Sequence, residues 1–143
     1  DALALDEPLD EFWKLLGEEW CVCDNIAAHT EWLRELMCDA EREHLSLMMD
    51  EDERAQWDKL PEELTVYRGC YEFNREGLSW SLDPKIAATF PMLFRYQQPD
   101  QQALLLTMQV EKARTVLKLG RDEREVIVPE LGRIVSATSI EAA

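Results

Sequence analysis

The 143-residue chain fits one domain and hardly two, and a chain of this length buries about 68–70% of its unfolded surface, enough for a core without disulfide or metal staples. With 46% hydrophobic and 31% charged residues, five Gly and six Pro, it falls outside the collagen-like, low-complexity and wholly disordered classes. The formal net charge of −15 is uneven: residues 1–60 hold 18 acidic and 5 basic side chains, whereas residues 61–143 hold 12 and 10. Phosphate neutralisation needs clustered Lys and Arg, so direct binding to nucleic acid or to an anionic membrane surface is not expected. No apolar run approaches the roughly 18 residues of a membrane span, and no basic stretch leads into an apolar one near residue 1. Cys21, Cys23, Cys38 and Cys70 therefore read as reduced thiols of a cytoplasmic protein.

Residues 8–60 have helical character. Phe12, Trp13, Leu15, Leu16 and Trp20 form an apolar helical face, which Gly17 can divide into two pieces. Thr30 is the expected N-cap of a helix carrying Trp32, Leu33, Leu36 and Met37. Leu45, Leu47, Met48 and Met49 continue the pattern, and Asp50–Asp52 is either a loop or a solvated helix start. A last segment with Trp57 and Leu60 must stop at Pro61. These Trp, Leu and Met side chains are assigned to the core.

After Pro61 the period changes to two. Strands are expected over 64–69, 77–82, 103–110, 114–119, 125–128 and 133–137. Asp83-Pro84 supplies an N-cap and a first-turn proline for a short helix over 84–94. The expected class is α+β: an acidic helical cap, residues 1–61, packed on a small mixed or antiparallel β core, residues 62–143.

Three places could hold chemistry. Arg68 shares a strand face with Leu64 and Val66, so it projects from the apolar side and needs an anionic partner in the protein or a ligand. Its planar fork suits phosphate or carboxylate, and a structural salt bridge is the competing reading. Ser79 and Ser81 project together, able to bind a ribose or an amide, while Trp80 faces the core. Glu123 and Glu125 lie two apart where a charged loop enters an apolar strand and can point into one space; a solvated turn is the commoner meaning of such a run.

In order, Tyr67-Arg68-Gly69, Ser79-Trp80-Ser81 before Leu82-Asp83-Pro84, and Glu123-Arg124-Glu125-Val126-Ile127 resemble the Arg–Ser–Glu class of mono-ADP-ribosyltransferases. The resemblance covers residues 64 to about 130 and departs at Trp80, where that family most often has Thr. It implies a fold of ADP-ribosyltransferase type, NAD⁺ as co-substrate and transfer of ADP-ribose to a protein, as in bacterial or phage effectors and toxins. By position Glu125 would stabilise the oxocarbenium-like transition state and Arg68 would hold the NAD⁺ phosphates. Ser79 would fix the nicotinamide ribose, with Ser81 as support, and Gly69 would admit the nicotinamide amide. Glu123 would face the acceptor, and a Glu at that place goes with arginine as target. Phe94, with Phe90 and Tyr96 as alternatives, would stack on nicotinamide.

Other constellations are poorer. Cys21, Cys23, His29 and Cys38 are zinc-type ligands at unsuitable spacing, so no metal is expected. The acidic cap could steer the protein toward a basic protein surface, as a substrate recruiter or as a non-enzymatic nucleic-acid mimic. Solubility alone is the bland alternative.

Overall fold

A computed structural model describes residues 2–20, 29–92, 98, 100–120 and 124–140. Four helices come first: α1 (Ala2–Trp20), α2 (Thr30–Cys38), α3 (Arg42–Ser46) and α4 (Glu51–Asp58). Then follow β1 (Glu63–Cys70), β2 (Ser79–Ser81), α5 (Pro84–Thr89), β3 (Ala103–Glu111), β4 (Val116–Lys118), β5 (Glu125–Ile127) and β6 (Arg133–Ile140). The class is α+β, and the six strands form one sheet in the order β4-β5-β2-β1-β3-β6, antiparallel at every pairing.

The long β1–β3 pairing sets the frame. Leu64 pairs with Val110 and Val66 with Met108, so these four share one face, and all are buried. They belong to a single apolar cluster with Trp13, Trp20, Leu33, Met37, Leu45 and Met48 from the helical half. Gly69 has the opposite parity and meets α5: a Cβ there would collide with the Ala87 carbonyl oxygen. Asp83 accepts a hydrogen bond from the Lys85 amide at 2.8 Å, with Pro84 at the first turn, as its sequence predicts. That helix stops at Thr89, short of residue 94, because Pro91 disfavours helix at the preceding residue, and a 3₁₀ turn (Phe90–Met92) follows.

Several local expectations are corrected. Gly17 does not divide α1; it lies inside the helix, where a Cβ would collide with the Met48 backbone, so its role is close packing. Thr30 is the first helical residue and His29 holds the N-cap position. Trp13 and Trp20, two turns apart on one helical stripe, are buried, but Phe12 and Leu15 lie on the neighbouring flank and are exposed, as is Trp32 on α2.

The acidic run at residues 50–53 is only partly solvated. Asp50 and Glu53 form a capping box, each side chain accepting from the other's amide at 2.8 Å. Glu53 is nevertheless buried: its Oε1 meets Lys118 Nζ at 2.9 Å and its Oε2 accepts from the Leu119 amide at 2.7 Å. Lys118 also donates to the Met48 carbonyl at 2.9 Å. Removing one member of such a pair leaves a buried charge uncompensated. Glu53→Ala is therefore expected to cost about 3–5 kcal/mol in urea unfolding. A loss within the few tenths typical of a surface position would contradict a buried pair.

Candidate functional site

β2 lies between β1 and β5, and this brings the three sequence motifs together. Ser81 pairs with Glu125, Trp80 with Val126 and Ser79 with Ile127, so Ser79, Ser81 and Glu125 share a face. Trp80, 1% exposed, packs in the core as expected, and its indole donates to the Gly77 carbonyl at 2.9 Å. Ser79 Oγ donates to Glu125 Oε2 at 2.7 Å. Trp20 Nε1, from the last residue of α1, donates to the same oxygen at 2.9 Å. Among the described residues Oε1 accepts no hydrogen bond. Glu125 is only 9% exposed. The chain enters β5 through Arg124, whose φ of 47° is the single positive value at a non-glycine position among the described residues.

Arg68 projects from the Leu64 and Val66 side, half-buried. It donates to the Ser79 carbonyl at 2.7 Å and twice to the Asn74 carbonyl, at 2.8 and 3.2 Å. Gly77 makes this possible, since a Cβ there would collide with the guanidinium. Burial lowers the Arg68 pKa from its ordinary value and the nearby Arg34 adds to this, against the opposing influence of Cys70 and Glu125. Arg34, from α2, donates to the Pro129 carbonyl at 2.7 Å and to the Glu76 carbonyl. Among the described residues neither guanidinium has a carboxylate within ion-pairing distance. The structural salt bridge offered as the competing role of Arg68 has no partner among the described residues. Backbone carbonyls of Ser79 and Asn74 take its donors.

Ser81 is buried, and its Oγ accepts from the Asp83 amide at 3.0 Å, tying β2 to the start of α5. Gly69 sits at the β1–α5 contact, so the close approach there is made by the chain itself. Glu123, Phe94 and Tyr96 lie outside the described residues, as do Cys21 and Cys23; Phe90 is half-buried. Cys38 and Cys70 are free, burial being the leading cause that raises both thiol pKa values. Among the described residues no group of three His, Cys, Asp or Glu side chains is placed to hold a metal. Two open clefts, of about 600 and 400 Å³, lie around Lys14, Asp52 and Gly120 and around Lys59, Leu82 and Arg124. Arg68, Ser79 and Glu125 line neither.

Chemically, the arrangement offers a carboxylate with one oxygen that accepts no hydrogen bond among the described residues, a hydroxyl aligned with it, and, on the adjoining strand, a guanidinium with no ion pair among those residues. Such a set can oppose positive charge developing on a hydroxyl-bearing ligand whose anionic part lies toward the arginine. The sequence marks Trp20 only as a core side chain and Gly77 only as part of a strand; it assigns neither, nor Arg34, to the site. The one available signal for Trp20 is that a buried indole needs an acceptor for its N–H.

The Gly77–Arg68 fit is testable by a double-mutant cycle. Gly77→Ala should cost about 1–3 kcal/mol alone, by displacing the guanidinium from its carbonyls, and distinctly less when Arg68 is already Ala. Equal costs in both backgrounds would refute the coupling. Comparisons with protein-family models, curated proteins and solved structures return no match to this chain.

Proposed function

We propose that the chain is an NAD⁺-dependent mono-ADP-ribosyltransferase, built on a fold of ADP-ribosyltransferase type, that modifies a protein on arginine. The observation that supports this reading is the direct Ser79–Glu125 hydrogen bond beside Arg68, which joins three motifs far apart in sequence. In this reading the C–N bond between nicotinamide and ribose breaks, and nicotinamide leaves with the electron pair. The ribose gains oxocarbenium character, which the Glu125 carboxylate opposes. Ser79 orients that carboxylate, and Arg68 holds the diphosphate with the donor capacity its two carbonyl partners leave. The acceptor guanidinium then attacks and gives up a proton, the role assigned to Glu123 by motif order alone. Ser81 and Gly69 act through the framework, by fixing β2 and β1 against α5.

A second reading rests on α1. Leu9, Phe12 and Leu15 are exposed beside Glu11, Glu18 and Glu19, an apolar stripe in acidic surroundings. That surface fits a non-enzymatic inhibitor of a basic protein. The two readings separate in a transfer assay with labelled NAD⁺ and bacterial lysate, with nicotinamide release followed in parallel. The transferase should label a discrete band, and Glu125→Gln should lower the rate by about 100-fold or more while remaining folded. Nicotinamide release without a labelled band would identify an NAD⁺ glycohydrolase. Neither signal, from folded protein, would favour the acidic inhibitor.

A further inference from the structure

Glu125 is held from two sides, and only one belongs to the sheet. Ser79 Oγ reaches Oε2 from the neighbouring strand at 2.7 Å, and Trp20 Nε1 reaches the same oxygen from the helical half, 105 residues away, at 2.9 Å. We infer that Trp20 is a positioning residue for Glu125, an inference that rests on the transferase reading above. The two donors engage Oε2 together, so among the described residues Oε1 is the oxygen left for a ligand hydroxyl.

Three features give the indole this role. Trp20 is 3% exposed and lies in the same apolar cluster as Trp13, Met48, Val126 and Val128, so packing holds its ring on every side. An indole N–H is a donor only and carries no charge, so it fixes one carboxylate oxygen without neutralising the group. Its place is set from within its own helix: Gly17, one turn earlier, lets α1 lie against the Met48 backbone. Met48 is in turn fixed from the sheet, its carbonyl accepting from Lys118, which pairs across strands with Glu125. Helix position and carboxylate position are thus referred to the same few backbone atoms.

A carboxylate that acts on transition-state charge loses rate, not ground-state affinity, when its orientation is freed. Trp20→Phe should therefore lower kcat for nicotinamide release roughly 10- to 100-fold while leaving KM for NAD⁺ within about twofold. Site-specific replacement of Trp20 by benzothienylalanine removes only the N–H from a near-isosteric ring. It should reproduce the kcat loss and guards against a folding defect in the phenylalanine variant. A readout free of activity is the Trp20 indole proton in ligand-free protein, expected downfield in wild type and shifted upfield in Glu125→Ala. An active wild type whose benzothienylalanine variant keeps full kcat, or gains rate, overturns the inference. So does an indole proton unmoved by Glu125→Ala. A wild type that releases no nicotinamide yet shows the indole shift sinks the transferase reading and leaves the Trp20 hold on Glu125 standing.

Discussion

The constraint on which the rest depends is the seating of one carboxylate. Glu125 stands at the start of a three-residue strand, almost fully buried, and a buried carboxylate must find donors or be lost from the fold. Its donors come from a strand and from a helix at the other end of the chain. Sheet order and helix docking therefore both have to be right before this group is satisfied. β2 is the hinge of the arrangement: one neighbour is β5, with Glu125, and the other is β1, with Arg68. A slip of one residue in β2 would turn Ser79 and Ser81 away from Glu125 and bring Trp80 to its side.

The attachment of the acidic helical half to the sheet uses arginines in an unusual way. Arg34 bonds the carbonyls of Pro129 and Glu76, Arg42 those of Ala113 and Thr115, and Arg114 that of Cys38. Each crosses between the two halves of the chain, and each ends mainly on backbone carbonyls. Arg42 also stacks on Trp57 at 4.4 Å from the ring centre, with Lys112 at 4.7 Å from the same ring. Such contacts satisfy carbonyls at strand and helix ends, and Arg114 also pairs with Glu130 at 3.6 Å. Arg34 is the one of these arginines that also acts electrostatically on Arg68.

Much of the fold was legible because its signals are local. The change from helical period to alternation at Pro61, the Asp83-Pro84 start of α5 and the long apolar run of β3 all appear where expected. Trp80 facing the core follows from strand parity, whereas a site shared by Ser79 and Glu125 is implied only by the family resemblance. What was hidden is non-local. Gly17 looks like a helix breaker until Met48 is seen against it, and Glu53 looks solvated until Lys118 arrives from β4. Phe12, Leu15 and Trp32 carry the same apolar signal as Trp13 and Trp20, and only docking decides which flank is covered. Trp20 reaches its acceptor across 105 residues, and no spacing rule spans that gap.

Arg68, Ser79 and Glu125 are proposed to form one binding site for a dinucleotide. The most direct test is titration of the isotopically labelled protein with NAD⁺, followed by backbone and side-chain NMR. Saturable shifts centred on Arg68–Gly69, Ser79–Ser81, Glu125 and the Trp20 indole, and lost in Arg68→Ala, are the expected result. Shifts confined to other surfaces, or none at saturating NAD⁺ from a folded protein, would contradict it.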